Sequence, residues 1–164
     1  MIREARREDA EAIAVVHVRG WQAAYRAVFP QEALAALSVE ERAQVWRGQI
    51  ASGGTVIVVE DDIVQGFAAV GPSQDEEREG FGELYAIYVE PSLWRRGLGR
   101  ELSSAAEEAL RRGGFREAIL WVLADNPRAR RFYEASGWRQ DGMRTVEVLG
   151  AEVPELRYRK VLQT

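Results

Sequence analysis

From Phe81 onward a strand, a turn and a helix follow one another twice and then give way to two further strands, an order that admits few folds. The segment ELYAIYV, Glu83–Val89, reads as a strand stopped by Pro91. Gly97–Arg112 then places Leu98, Leu102, Ala105, Ala106, Ala109 and Leu110 along one side of a helix. Glu117–Leu123 is an apolar strand. Asn126 caps the next helix, Pro127 occupies its first turn, and Gly137 closes it after Ser136. Trp138–Leu149 and Val153–Val161, joined through Gly150-Ala151, predict a final hairpin.

The first half of the chain supplies helices and a ββ unit. After an edge-like Ile2–Ala5, Asp9 is expected to cap a helix carrying Ile13, Val16, Trp21 and Tyr25, with Gly20 breaking or bending it. In SVEE, Ser38 and Glu41 have capping-box spacing and start a second helix with Ala43, Val45, Trp46 and Ile50. Two helices are thus expected before the sheet. Thr55–Val59, a turn at Asp61-Asp62 and Ile63–Val70 predict a hairpin. The charged stretch Pro72–Gly80 reads as a solvated loop, or alternatively as a substrate-facing lid. A length of 164 residues suits one domain over 1–164.

Composition narrows the chemistry. The net charge of −4 gives no global field for nucleic acid or anionic lipid, so neither partner is expected. Of the 22 cationic residues Lys160 is the only lysine, and the others are arginines, whose forked guanidinium suits phosphate and carboxylate. With no cysteine there is no disulfide, no thiolate metal site and no cysteine nucleophile. His17 is the single histidine and reads as a packed or surface residue, so no metal site is expected. The charged start and the lack of a long apolar run point to neither a secretory signal nor a membrane span, and a cytoplasmic location is expected.

The turn Pro91–Arg100 joins strand to helix through Gly97-Leu98-Gly99. Glycines admit close backbone approach, and a helix start presents unpaired N–H groups with a partial positive charge, a phosphate cradle in outline. Arg95, Arg96 and Arg100 add charge-assisted donors. Leu102 stands where a dinucleotide fingerprint needs its third glycine, and no Gly-Lys-Ser/Thr follows, so a dinucleotide or ATP site is disfavoured. WRRGLG, Trp94–Gly99, resembles the pyrophosphate loop of the GNAT family of acyl-CoA N-acyltransferases, departing from it at Trp94, where Gln or Arg is usual. ADNPRARRFYEASGW, Ala124–Trp138, is similar to that family's second signature, with Asn126, Ala129, Phe132, Tyr133, Gly137 and Trp138 in register. The resemblance implies a mixed α/β domain: a central, mostly antiparallel twisted sheet, opened by a V, with helices on both faces.

What the resemblance implies for the site can be set beside the residues. Spacing places Tyr133 on one helix face with Ala129 and Asn126, and a phenol can protonate a departing thiolate. By resemblance Tyr133 is the general acid toward the coenzyme A sulfur; otherwise it is a core tyrosine beside Phe132. The resemblance also implies Glu83 as the base, directly or through water, and Ile87, Tyr88 and Val89 as main-chain partners of the pantetheine arm and acyl carbonyl. It has Gly97, Leu98 and Gly99 with the loop arginines hold the pyrophosphate, and Asn126 contact the cofactor as well as capping its helix. Tyr85 is a reserve base or a substrate wall, and Trp21, Tyr25 and Trp46 are aromatic walls for a cationic amine. The expected activity is N-acetylation of a small-molecule or peptide amine from acetyl-CoA by direct ternary-complex transfer, since no cysteine can carry the acetyl group. The rival is a non-catalytic acyl-CoA-binding or sensing module; the expected assembly is a monomer or homodimer.

Overall fold

The computed structural model describes residues 1–162; the last two positions of the expected domain, 163–164, lie outside them. Strands β1 (Ile2–Glu4), β2 (Thr55–Glu60), β3 (Val64–Pro72), β4 (Gly82–Val89), β5 (Glu117–Leu123), β6 (Arg139–Val148) and β7 (Ala151–Val161) form one sheet in the order β1-β2-β3-β4-β5-β7-β6. The helices are α1 (Ala10–Ala24), α2 (Gln31–Ala35), α3 (Val39–Ala51), α4 (Leu98–Arg112) and α5 (Pro127–Ala135). Every neighbouring pair is antiparallel except β4 with β5, which run parallel and share only Gly82↔Ala118 and Glu83↔Ile119. Each of these strands is paired along its other side, β4 with β3 except at a bulge and β5 with β7 throughout, so the sheet opens as a wedge between two halves.

Both faces of the sheet are covered, which is why β2 reads as an unbroken apolar run. Ile57, Val59, Ala68 and Leu84 pack with Leu102, Ala106 and Leu110 of α4. From the alternate positions, Val56, Val58, Phe67 and Ala69 pack with Ile13 and Val16 of α1 and with Trp46 of α3. A register slip between Ala69 and Val70 leaves Tyr85 opposite no residue of β3. Beyond this bulge Tyr85 and Ala86 both join the α1–α3 side, while Leu84 and Ile87 stay on the α4 side.

Three local expectations change. Asp9 does not cap α1: its carboxylate accepts from the Arg6 N–H at 2.6 Å and from the Arg3 guanidinium at 2.8 and 3.0 Å, closing a 3₁₀ turn over Arg7–Asp9 instead. Three helices rather than two precede β2, because Pro30 opens the short α2. Gly20 does not break α1, which continues to Ala24; a Cβ there would lie 2.7 Å from the Tyr88 ring. Ser38 does cap α3, accepting from the Glu41 N–H at 3.1 Å.

The loop between β3 and β4 is tied down. Arg157 of β7, 4% exposed, donates to Asp141 at 2.7 Å and to Asp75 and Glu77 at 2.9 Å, and Arg78 reaches Asp141 from the same loop at 2.7 Å. Gly142 makes room for this, since a Cβ would meet the Arg157 guanidinium at 2.9 Å. Lys160 is paired in turn with Glu107 of α4 at 2.9 Å. Burial, the largest single influence, would raise the carboxyls of Asp75 and Asp141, but the hydrogen bonds and charge of Arg157, together with the Glu77 N–H at Asp75 and Arg78 at Asp141, hold both below the usual aspartate value. Their contribution to stability is present above about pH 4 and is lost as pH falls through the folded-state values. Arg157→Met leaves these carboxylates without their shared cation; a loss of about 3 kcal/mol is expected at pH 7, read from the urea midpoint, with the deficit shrinking below about pH 4.

Candidate active site

A cleft of about 830 Å³ occupies the wedge. Its floor is the open edge of β4, where Ile87, Tyr88 and Val89 have no partner on β5. Main-chain groups in the middle of a sheet are thereby left for a ligand. At the tip of the wedge the Trp94 indole N–H donates to the Val89 carbonyl at 2.9 Å, and the Arg128 guanidinium lies 3.5 Å over the indole ring. Trp94 thus anchors the turn by its side chain, a role that Gln or Arg at this position would fill differently.

Beyond Trp94 the backbone turns through left-handed conformations at Arg95 (φ 69°) and Gly97 (φ 85°). The first is strained by about 1 kcal/mol for a residue with a side chain; the second is free because Gly97 has no Cβ. Gly97 gives α4 no side-chain cap, so the first-turn amides of Leu98, Gly99 and Arg100 have no side-chain acceptor among the described residues. These three residues, Gly97 and Arg95 line the cleft, whereas Arg96 does not. Arg128 and Arg131 of α5 do line it and were missed; their spacing of three within the helix that Asn126 opens puts them on one face. Among the described residues, Arg95, Arg100, Arg128 and Arg131 have no carboxylate partner.

Tyr133 reaches the cleft from α5, packed edge-on against Phe132 and Trp138 and 9% exposed. Its hydroxyl makes no hydrogen bond among the described residues, and burial, then the neighbouring Tyr25, pushes its titration well above the usual phenol value. Asn126 uses both ends of its amide: Oδ1 accepts from the Ala129 N–H at 3.1 Å and Nδ2 donates to the Tyr25 hydroxyl at 3.2 Å. Asn126, Tyr25, Trp21, Tyr85 and Trp46 all line the cleft. Tyr25 and Trp46 are at the same time core residues, 3% and 6% exposed.

Glu83 is elsewhere. It is 8% exposed, lies outside the cleft lining, and its Oε1 accepts from the Gln74 N–H at 2.9 Å. Burial raises it above the usual glutamate value despite that bond. The Tyr85 hydroxyl donates to the Pro72 carbonyl. The carboxylate that does line the cleft is Glu155 of β7, held by Arg144 at 2.7 Å, and Arg144 stacks 3.8 Å over Trp121. Nothing in the local pattern of β7 separates Glu155 from the other charges of an alternating strand; only the sheet order brings it here.

The family model for the acetyltransferase (GNAT) family matches residues 18–138, more than half of the chain. The chain belongs to the GNAT acetyltransferase family. It is 34% identical over 155 residues to the uncharacterized N-acetyltransferase YuaI of Bacillus subtilis (strain 168), covering 94% of this chain and 89% of that protein. It is 41% identical over 69 residues to the mycothiol acetyltransferase of Geodermatophilus obscurus, covering 42% of this chain but only 22% of that longer protein. In fold it matches the structure of YncA from Salmonella typhimurium with its cofactor acetyl-CoA, with a TM-score of 0.75 at 20% identity, over 100% of this chain and 94% of the other.

How tightly α1 seats on the open strand is testable. In a helix interior Gly→Ala gains about 1 kcal/mol from propensity. For Gly20→Ala the contact with Tyr88 is expected to reverse that sign, giving a net loss of about 1 kcal/mol and a Tm lower by about 3 °C. A raised Tm would show that the Tyr88 ring yields freely.

Proposed function

We propose that this chain, acting as one domain, transfers the acetyl group of acetyl-CoA to the amine of a small molecule or peptide within a single ternary complex. The observation that carries the reading is convergence: the unpaired edge of β4, the uncapped start of α4 and the Tyr133 hydroxyl all meet in one cleft. The donor set fits the cofactor in parts. Unpaired arginines and first-turn amides suit a diphosphate, and the open strand edge suits an arm that carries its own amides.

The cofactor, when bound, supplies an activated acetyl thioester. The chain's residues then have distinct tasks. Backbone N–H groups of the open strand near Ile87–Val89 steady charge that develops on the acyl oxygen. The Tyr133 hydroxyl, protonated throughout the neutral range, gives its proton to the departing sulfur as the carbon–sulfur bond breaks. The burial that raises the phenol raises a thiolate beside it as well, so donor and acceptor stay matched. The amine forms the new carbon–nitrogen bond and releases a proton to water. Glu83, buried and outside the cleft lining, takes part only through such water.

Release of free thiol from acetyl-CoA across a panel of polyamines, amino acids, aminoglycosides and peptides tests the reading; binding of acetyl-CoA without amine-dependent thiol release would leave a binding module instead. Tyr133→Phe is expected to lower kcat by about 100-fold with little change in affinity for acetyl-CoA. Arg100→Gln is expected to raise the Kd for acetyl-CoA about tenfold and to flatten its salt dependence, by calorimetry at two ionic strengths.

A further inference from the structure

Beside the main cleft lies a second cavity of about 330 Å³, and His17, Trp21, Arg42 and Val148 line both. The single histidine therefore stands where the two spaces join. Its ring is clamped by aromatic neighbours, with centroids 4.8 Å from Tyr88, 5.6 Å from Phe67 and 5.7 Å from Trp46. One further contact decides its chemistry: the Trp46 indole N–H donates to His17 Nδ1 at 3.1 Å.

An indole nitrogen can only donate, so Nδ1 must carry the lone pair and the neutral ring must hold its proton on Nε2. Protonating Nδ1 would set two donors against each other. Burial, assisted by the charge of Arg42, pushes the histidine down to about 4, and the ring stays neutral at physiological pH. His17 is thus not a base there but a fixed N–H donor. Its Nε2 finds no acceptor among the described residues and is not among the buried orphan atoms, so it is reachable from the cavities the ring lines.

Arg42, one helix away on α3, is exposed, lines the same junction and has no carboxylate partner among the described residues. Facing it, the second cavity has one carboxylate, Glu147, exposed on β6. The main cleft has Glu155, held by Arg144, on its β7 wall. A neutral donor and a free guanidinium that both line this junction suit an anionic oxygen group, and they disfavour a polycation.

We infer that the acceptor is an amine that also carries a carboxylate, and that His17 Nε2–H and Arg42 bind this carboxylate at the junction of the two cavities. The inference rests on the acetyl-transfer reading only in directing the amine toward Tyr133; the carboxylate site itself is independent of turnover.

Trp21 borders both cavities and Trp46 lies on His17, so tryptophan fluorescence reports binding there without catalysis. The probes are free amino acids and dipeptides, each paired with its carboxamide, together with spermidine, titrated into the full chain in the presence of coenzyme A. The acids are expected to bind about tenfold more tightly than their amides. Arg42→Gln is expected to bring the acids to the level of the amides. His17→Phe should do the same, whereas His17→Gln, which still offers an N–H, retains part of the preference; melting curves confirm that each variant is folded. Equal binding of acids, amides and spermidine, no binding of the acids, or an undiminished acid preference in Arg42→Gln would overturn the inference. Acid binding without thiol release would instead count against the transfer reading alone, and thiol release without acid preference against the inference alone.

Discussion

Two neighbouring strands that share only Gly82↔Ala118 and Glu83↔Ile119 leave a row of peptide groups without partners in the middle of a sheet. Backbone donors and acceptors cannot be buried dry at small cost, so such a gap persists only where the rest of the fold keeps it open and hydrated or a ligand fills it. The surroundings here keep it open. β3 and β7 pair along the outer sides of β4 and β5, the bulge at Tyr85 turns the β4 side chains, and Trp94 ties the following turn to the last carbonyl of β4. Tyr133, Asn126 and the arginines of the turn are placed relative to one another because each is attached to one lip of this opening.

Much of this was legible as local pattern. The strand, turn and helix punctuation around Gly97 and Asn126, the cap at Ser38 and the final hairpin all depend on contacts within a few residues, and the structure has them where the spacing implies. Signals that depend on a distant partner were not legible. Asp9 has the look of a cap until Arg3 competes for it, and Gly20 has the look of a break until the ring of Tyr88 occupies the space its side chain would need. The resemblance implies Glu83 as a site residue, and the structure has it accepting from the Gln74 N–H and not lining the cleft, whereas Glu155 comes in from a strand that only the sheet order places there. The tautomer of His17 depends on Trp46, a residue of another helix.

Two groups stand out within the arginine excess once the fold is known. Arg3, Arg19, Arg78, Arg111, Arg112, Arg144, Arg157 and Arg159 are in ion pairs with acids, and the Arg157 cluster fastens the loop before β4 to the closing hairpin. Arg95, Arg100, Arg128 and Arg131 meet the cleft without such partners, at the end where α4 begins. A chain of negative overall charge thus keeps a small positive field in one place, and the paired arginines cost it little of that contrast.

The lysine that is paired with Glu107 carries a meaning of its own beside an enzyme proposed to consume amines. Lys160 is the sole lysine, and its ammonium lies 2.9 Å from the Glu107 carboxylate. An ammonium engaged with a carboxylate has no lone pair to attack a thioester. Guanidinium groups, protonated at any physiological pH, do not compete either. Among its side chains the molecule therefore offers the acyl donor a single amine, and that amine is held in an ion pair.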